Sequence, residues 1–113
     1  RVSFLVPTLN SGPTLDACLA RIRAQRTAHE IEIIVADGGS IDDTRAIAGR
    51  HGARVIDNPL KTGEAGKAVA LAQATGEFAA FVDSDNFLIG DDWLDRLLAP
   101  FLADPAVVLA EPL

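Results

Sequence analysis

The residues best suited to chemistry are two aspartates, Asp83 and Asp85, separated by one residue. They follow an apolar run over residues 78–82, which predicts a strand buried on both faces, as inside a parallel sheet. In an extended segment these two side chains would point to the same side and converge. Converging carboxylates repel unless a cation joins them, and such oxygen ligands favour Mg²⁺ or Mn²⁺ beside a phosphate. From spacing alone, the alternative is that one Asp caps a turn and the other is solvated.

A second polar cluster, Asp37-Gly38-Gly39-Ser40, follows a predicted strand over residues 31–36. The two glycines allow positive φ angles and the close approach of a ligand. Ser40 and Asp43 have the spacing of a capping box for the next helix. Asp37 is then left for a ligand, with a turn-stabilising role as the alternative.

A third polar cluster follows the first predicted strand, residues 2–6, which Pro7 is expected to end. Short polar side chains come next, at Thr8 and Asn10. In open α/β sheets, ligands bind beyond the carboxyl ends of the strands. We therefore expect Thr8 and the aspartates of the other two clusters to lie at one edge of one sheet.

A lysine adds a possible anion contact. Lys67 is placed in the first turn of a predicted helix over residues 64–74, where the helix dipole disfavours a cation. An anion there would explain the placement, because helix N-termini and lysines both attract phosphate. The alternative is a solvated surface lysine.

The rest of the sequence predicts the elements that hold these clusters. An apolar stripe of Leu15, Cys18, Leu19 and Ile22 indicates a helix that starts at Gly12-Pro13, with Cys18 as a packed structural thiol. The alternation of strands and helices predicts an α/β fold, a doubly wound, mostly parallel sheet in the order 3-2-1-4 with helices on both faces. Further predicted elements are a helix over 42–51, a strand over 53–56, a helix from 91 or 92 to 103 with a kink or break at Pro100, and a strand over 107–109.

Length and composition limit the function. The chain has 113 residues, of which 49% are apolar and 23% charged, so we expect one globular domain. A net charge of −6 argues against a general nucleic-acid or anionic-membrane binder. No stretch reaches the roughly 20 apolar residues that span a bilayer, and the single cysteine excludes an internal disulfide. Both ends lie beside predicted strands, so we expect a fragment of a larger protein.

Taken in order, the three clusters resemble the nucleotide-sugar-binding half of family 2 glycosyltransferases, which have the GT-A fold. The matching motifs are Pro7-Thr8-Leu9-Asn10, residues 37–44, and Gly76-Glu77-Phe78 leading through the strand to Asp83-Ser84-Asp85. The resemblance covers essentially the whole sequence. It implies an inverting, hexosyltransferase-type enzyme that moves a sugar from a nucleoside-diphosphate-sugar donor to an acceptor hydroxyl, with Mn²⁺ or Mg²⁺ as cofactor. The acceptor would be a carbohydrate, a lipid or a small molecule.

The resemblance also implies roles for individual residues. Thr8 and Asp37 would line the nucleotide base pocket, and Lys67 matches a basic residue near the nucleotide in relatives. Asp83 would approach the ribose or the metal, and Asp85 would hold the ion that bridges the diphosphate. The other expected donor contacts are Pro7, Asn10, Gly38 and Ser84.

Two departures from the family pattern leave questions open. Many relatives have a second Asp, which reads the base, where this sequence has Gly38, so the identity of the base is not implied. The acceptor half, which supplies the general base in this inverting family, is absent. No residue is therefore assigned as the base, and the isolated sequence is expected to be inactive. We expect a cytoplasmic location, with any contact to a membrane face made by parts of the protein outside this sequence.

Other classes of protein are alternatives. A nucleotidyltransferase of related fold would need a basic residue in a glycine-rich loop after the first strand, and residues 7–12 contain none. A nucleotide-binding or regulatory α/β module without transferase activity, such as a receiver domain, would place a Lys where this sequence has Glu111-Pro112. A degenerate transferase that binds the donor without turnover is the third alternative.

Overall fold

The computed structural model describes residues 1–103, which form four strands and four helices in alternation. The strands build one parallel sheet in the order β3-β2-β1-β4, which confirms the predicted topology. The predicted strand over residues 107–109 lies outside the described residues. The elements are β1 (Val2–Thr8), α1 (Gly12–Arg23), β2 (Ile31–Asp37), α2 (Thr44–Arg50), β3 (Arg54–Asp57), α3 (Gly63–Gln73), β4 (Phe78–Phe81) and α4 (Trp93–Ala103).

The core lies on both faces of β1 and β2. Side chains alternate along a strand, so Phe4 and Val6 join a large apolar cluster with α1, α2 and α4, whereas Leu5 joins a smaller cluster with α3. The predicted stripe of α1 is buried throughout, including Cys18. Helices therefore cover both faces, and the doubly wound architecture is confirmed. None of the four helices in this described part is long and apolar enough to cross a bilayer.

Pro7 does not end β1, contrary to the sequence prediction. The strand continues to Thr8, and Pro7 pairs in register with Ala36 of β2. The reason lies in the direction of the backbone groups. The Leu5 carbonyl accepts from Val82 on the β4 side, so the nitrogen of Pro7, two residues on, faces that side as well. Pairing between β1 and β4 has already ended at Leu5, so the missing N–H costs no ladder hydrogen bond.

The prediction that β4 is buried on both faces was wrong for one face. Ala80 is buried, but Ala79 is exposed, and the strand ends at Phe81, one residue short of the predicted bound. Within residues 1–103, β4 pairs with β1 alone and so forms an edge of the sheet. An edge strand lacks a neighbour whose helix would cover its second face.

Three helix predictions also need correction. The capping box was wrong, because Asp43 is the N-cap of α2 without a side-chain cap bond. Helix α3 begins earlier than predicted, because the Thr62 side chain accepts from the Ala65 N–H at 3.1 Å and caps it. Lys67 therefore lies in the second turn of α3. Helix α4 runs without a break through Pro100, which is exposed near its end, so a break is wrong and a kink there stays a prediction.

Gly66 packs tightly between α3 and β1, and this contact can be tested by substitution. A Cβ at Gly66 would lie 2.8 Å from the Cβ of Pro7 and 3.0 Å from the Asn58 Nδ2. We expect Gly66→Ala to reduce the free energy of unfolding by about 1–3 kcal/mol, because overpacking outweighs the better helix propensity of Ala. Gly49→Ala in α2 is the matched control. Nothing lies within 4 Å of its Cβ position, so it should stabilise by about 0.4–1 kcal/mol. Urea unfolding measures both, and a stabilised Gly66→Ala would contradict the close contact.

Candidate functional site

Asp37, the last residue of β2, accepts five hydrogen bonds at the carboxyl edge of the sheet. Its Oδ1 accepts from Thr8 Oγ1 at 2.7 Å and from Ser40 Oγ at 2.5 Å. Its Oδ2 accepts from the backbone N–H groups of Gly39 at 3.2 Å and Ser40 at 2.9 Å, and from Arg45 Nε at 2.9 Å. A carboxylate has about four lone-pair sites. The acceptor capacity of Asp37 is therefore used within the protein.

These contacts set the charge of Asp37. Burial acts to raise its pKa, but hydrogen bonds from Ser40, Thr8 and Arg45 outweigh burial and lower the pKa to about 2. Arg45 also pairs with Asp57 at 2.6 Å. Ionised Asp37 thus ties together the ends of β1, β2 and β3.

Asn10 fixes the loop that follows Asp37. Its backbone N–H donates to Ser40 Oγ at 2.8 Å, and its Oδ1 accepts from the Ile41 N–H at 2.9 Å. Asn10 itself adopts a φ of +50° and Gly39 a φ of +95°. Both values lie in the left-handed region that Gly and Asn tolerate best. The predicted donor-contact residue Asn10 thus has its side-chain acceptor engaged in holding the loop.

A cleft opens at this edge of the sheet, with a volume of about 170 Å³. Typical ligand pockets hold about 300–1,000 Å³, so the cleft suits one part of a nucleotide sugar rather than the whole. It brings together four of the predicted residues, Pro7, Thr8, Asp83 and Ser84. Gly38 is not among the lining residues, and its N–H donates to the Thr8 carbonyl at 2.8 Å. The lining residues are Pro7, Thr8, Leu9, Asn58, Lys61, Thr62, Gly63, Asp83 and Ser84.

The aspartate pair lies on a turn rather than on an extended segment. The Asn86 N–H donates to the Asp83 carbonyl at 2.9 Å, so residues 83–86 turn back on themselves. The argument that Asp83 and Asp85 converge because they extend a strand was therefore wrong, although both lie beyond the carboxyl end of β4 and both are exposed. Asp83 lines the cleft, and Asp85 does not.

Cys18 of α1 lies beneath this turn, with its Sγ 3.7 Å from the Asp83 carbonyl. Burial raises the pKa of the thiol to about 12, and the negative charges of Asp85 and Asp83 add to the rise. A thiol in this state stays protonated at neutral pH and is a poor nucleophile. The prediction of a packed structural cysteine is confirmed.

The donor set of the aspartate turn suits a hard cation. Within residues 1–103 no group of three or more His, Cys, Asp or Glu side chains is arranged to hold a metal by itself. Mg²⁺ and similar ions are commonly bound by one or two carboxylates, with phosphates and waters completing the shell. Asp83 and Asp85 match that pattern and do not match a site made by protein alone.

Lys67 does not line the cleft. Its Nζ lies 4.0 Å from Glu64 Oε1 and 5.9 Å from the centroid of the Phe81 ring. The ammonium group is thus directed to the contact between α3 and β4.

Three residues of the site were missed by the sequence reasoning. Arg45 is the second residue of α2 and gave no signal beyond its charge. Asn58 is buried, and its Nδ2 donates to the Thr62 carbonyl at 2.9 Å, while its Oδ1 has no hydrogen-bond partner among residues 1–103. Lys61 is the cation of the cleft lining. The sequence signal that could have identified Asn58 is the turn-forming pair Asn58-Pro59, which places a polar residue next to the carboxyl end of a strand.

A larger hollow of about 240 Å³ lies away from these polar groups, between β4 and α4. Its lining is almost entirely apolar, with Glu77 as the exception. It offers few groups that could bind a charged donor, so the chemistry of this chain is expected at the smaller, polar cleft.

Known proteins resemble this chain both in sequence and in fold. A family model described as glycosyl transferase family 2 matches residues 3–112. Glucosyl-3-phosphoglycerate synthase from Mycolicibacterium smegmatis is 34% identical over 120 residues, which cover 97% of this chain and 39% of that protein.

Two solved structures share the fold. S. aureus TarS in complex with UDP has a TM-score of 0.80 at 31% identity, over 91% of this chain and 32% of that one. The mannosyltransferase PcManGT from Pyrobaculum calidifontis, in complex with GDP-Man and Mn²⁺, has a TM-score of 0.82 at 28% identity, over 95% of this chain and 33% of that one. The chain thus spans from 32% to 39% of the length of these relatives.

We expect the free energy of unfolding to depend on pH through the ionisation of Asp37. Because its pKa is lower in the folded chain than in the unfolded one, the ionised form stabilises the fold above about pH 4, and this stabilisation is lost as the pH falls toward 2. We expect Asp37→Asn to reduce the free energy of unfolding at pH 7 by about 2 kcal/mol, and the difference from wild type to shrink between pH 4 and 2.

Asp57→Asn is the control for this prediction. It removes the other partner of Arg45, but Asp57 is 82% exposed, so its loss should cost about 0–1 kcal/mol with little pH dependence. Urea unfolding at several pH values measures both variants. A constant difference between wild type and Asp37→Asn across that pH range would show that the charge of Asp37 does not stabilise the fold.

Proposed function

Because the chain belongs to glycosyl transferase family 2, we propose that it forms the donor-binding half of an inverting, metal-dependent, hexosyltransferase-type enzyme. A nucleoside-diphosphate sugar binds along the carboxyl edge of the sheet, and its sugar passes to a hydroxyl group of an acceptor. The observation that carries the proposal is the polar cleft at the ends of β1, β3 and β4, in which Asp83 and Lys61 bring opposite charges to a space that suits one part of a nucleotide sugar.

The arrangement of charge supports a donor that is itself anionic. The chain has a net charge of −6, so a diphosphate needs a local cation to offset the surrounding field. Lys61 supplies one fixed positive charge to the cleft, and the aspartate turn supplies a place for a divalent ion.

Asp83 and Asp85 would hold Mn²⁺ or Mg²⁺ through their carboxylates. When bound, the ion neutralises the charge that builds on the departing nucleoside diphosphate. The Ser84 Oγ donates to Ser11 Oγ at 3.0 Å, which anchors the aspartate turn to the start of α1. Thr8 lines the cleft, and Gly38 donates its N–H to the Thr8 carbonyl, so the hydrogen bond from Thr8 to Asp37 helps to hold this part of the lining in place. No residue of this chain is assigned as the general base.

Related proteins bind the ligands that the proposal needs. TarS was solved with UDP, and PcManGT with GDP-Man and Mn²⁺. These two ligands differ in their base and share a nucleoside diphosphate. The likeness therefore supports a nucleotide-sugar donor and a divalent ion for this chain, and it does not assign the base of the donor.

Asp85→Asn tests the metal site. The substitution keeps size and hydrogen bonding but removes the charge that a hard cation requires. A ligand that binds only the folded state at 100 times its Kd stabilises by about 2.7 kcal/mol. We expect the melting temperature of wild type to rise with Mn²⁺ plus UDP or GDP, and that of Asp85→Asn to stay almost unchanged.

Asp91→Asn is the matched control, because Asp91 is an exposed carboxylate in the segment that follows the aspartate turn. It should keep the full ligand-induced rise. If Asp85→Asn gained as much stability from Mn²⁺ and nucleotide as wild type does, Asp85 would not belong to the site and the metal-dependent mechanism would be wrong.

A further inference from the structure

Ser11 is the N-cap residue of α1, but its hydroxyl makes no cap bond to the first turn of that helix. A serine at this position normally accepts from a backbone N–H of the first turn. Here Ser11 Oγ accepts instead from the Leu9 N–H at 3.2 Å and from Ser84 Oγ at 3.0 Å. The Ser11 hydroxyl therefore serves the aspartate turn, in which Ser84 stands between Asp83 and Asp85, rather than its own helix.

The segment at the start of α2 holds Ser11 in place. The Ser11 N–H donates to Thr44 Oγ1 at 2.9 Å, and Thr44 is completely buried. The Thr44 hydroxyl donates in turn to Asp42 Oδ1, while Asp42 Oδ2 accepts from the Gly12 N–H at 3.1 Å. Two consecutive N–H groups of the main chain are thus fixed by the side chains of Asp42 and Thr44. A series of hydrogen bonds therefore connects the start of α2, through Ser11, to Ser84.

The aspartate turn benefits from such an anchor, because its two carboxylates carry like charges. Asp83 and Asp85 are both exposed, and without a cation their repulsion favours conformations that move them apart. The bond from the Asn86 N–H to the Asp83 carbonyl closes the turn, whereas the bond from Ser84 to Ser11 ties it to α1. Groups that hold metal ligands in position raise the affinity for the metal, because less ordering is needed on binding.

We propose that Ser11 and Thr44 are positioning residues for the divalent ion, which they affect through the aspartate turn. Ser11 holds Ser84 directly, and Thr44 holds the main chain of Ser11. Ser11 and Thr44 are not among the residues that line the cleft, so their effect on the ion passes through the turn. The inference rests on the proposed function, because it concerns the metal of the same donor site. It adds that the affinity for the ion depends on the loop after β1 and on the start of α2.

The test separates metal binding from folding. The melting temperature of the purified chain is measured with UDP, and separately with GDP, once with Mn²⁺ and once with EDTA. The difference between the two values is the metal-dependent rise. We expect Ser11→Ala and Ser84→Ala each to lower this rise by about a third or more. The double variant should lose no more than Ser84→Ala alone, because both hydroxyls act through one bond. A loss equal to the sum of the two single losses would overturn the inference, because Ser84 would then act independently of Ser11.

Thr44 offers a matched pair of substitutions. Thr44→Val keeps the shape of the side chain but removes the oxygen that accepts from the Ser11 N–H, so the metal-dependent rise should fall. Thr44→Ser keeps the hydroxyl and should retain most of the rise. An equal rise in these two variants would also overturn the inference.

Ser3→Ala is the control for a loss that affects only the fold. Ser3 is buried at the opposite end of β1, where its Oγ donates to Glu32 Oε1 at 2.8 Å and accepts from the Gly76 N–H at 2.9 Å. We expect this variant to melt at a lower temperature without ligand and to keep the full metal-dependent rise. A wild-type rise that persisted in Ser11→Ala and Ser84→Ala would contradict this inference alone. If wild type itself showed no metal-dependent rise, the proposed metal site would be wrong and this inference with it.

Discussion

The carboxyl edge of the sheet depends on the ionised state of Asp37. Taking a carboxylate out of water is unfavourable, and five donors from three parts of the chain offset that cost. Thr8 comes from β1, Ser40 from the loop, and Arg45 from α2, so each is positioned relative to the others through one side chain. One side of the cleft is therefore held in place by an internal charge whose hydrogen-bond acceptors are used within the protein.

Sequence reasoning predicted the architecture well because the signals behind it are strong. Alternating apolar strands and striped helices fix a doubly wound sheet, and the order of the strands and helices over residues 1–103 is the predicted one. Errors arose where tertiary contacts decided the outcome. Ser40 has the spacing of a helix cap, but its Oγ accepts from the Asn10 N–H instead of from a helix N–H, and it donates to Asp37. Pro7 looks like a strand end, but its ring nitrogen faces a position with no strand partner.

The candidate site was predicted in its residues more than in its geometry. The motifs located Thr8, Asp37 and Asp83 correctly at one edge, because the carboxyl ends of parallel strands coincide. They could not show that Asp37 is saturated, since hydrogen-bond donors from Arg45 and Thr8 are visible only in three dimensions. Lys61 and Asn58 escaped notice for a similar reason. The Asn58-Pro59 pair signals a turn, but the positive φ of Lys61 and the unpaired Oδ1 of Asn58 among residues 1–103 have no distinctive sequence pattern.

The missing N–H of Pro7 has a consequence for how the site could change over time. Strands β1 and β4 stop pairing two residues before Pro7, and the cleft begins where they part. Because Pro7 has no N–H, the ladder of hydrogen bonds between β1 and β4 cannot continue at this residue, whichever side chains surround it. The opening is thus a property of the main chain, whereas Lys61, Asn58 and Asp83 supply side chains that line it. Substitutions in those loops can therefore change the groups that meet a ligand, while the space between the ends of β1 and β4 stays the same.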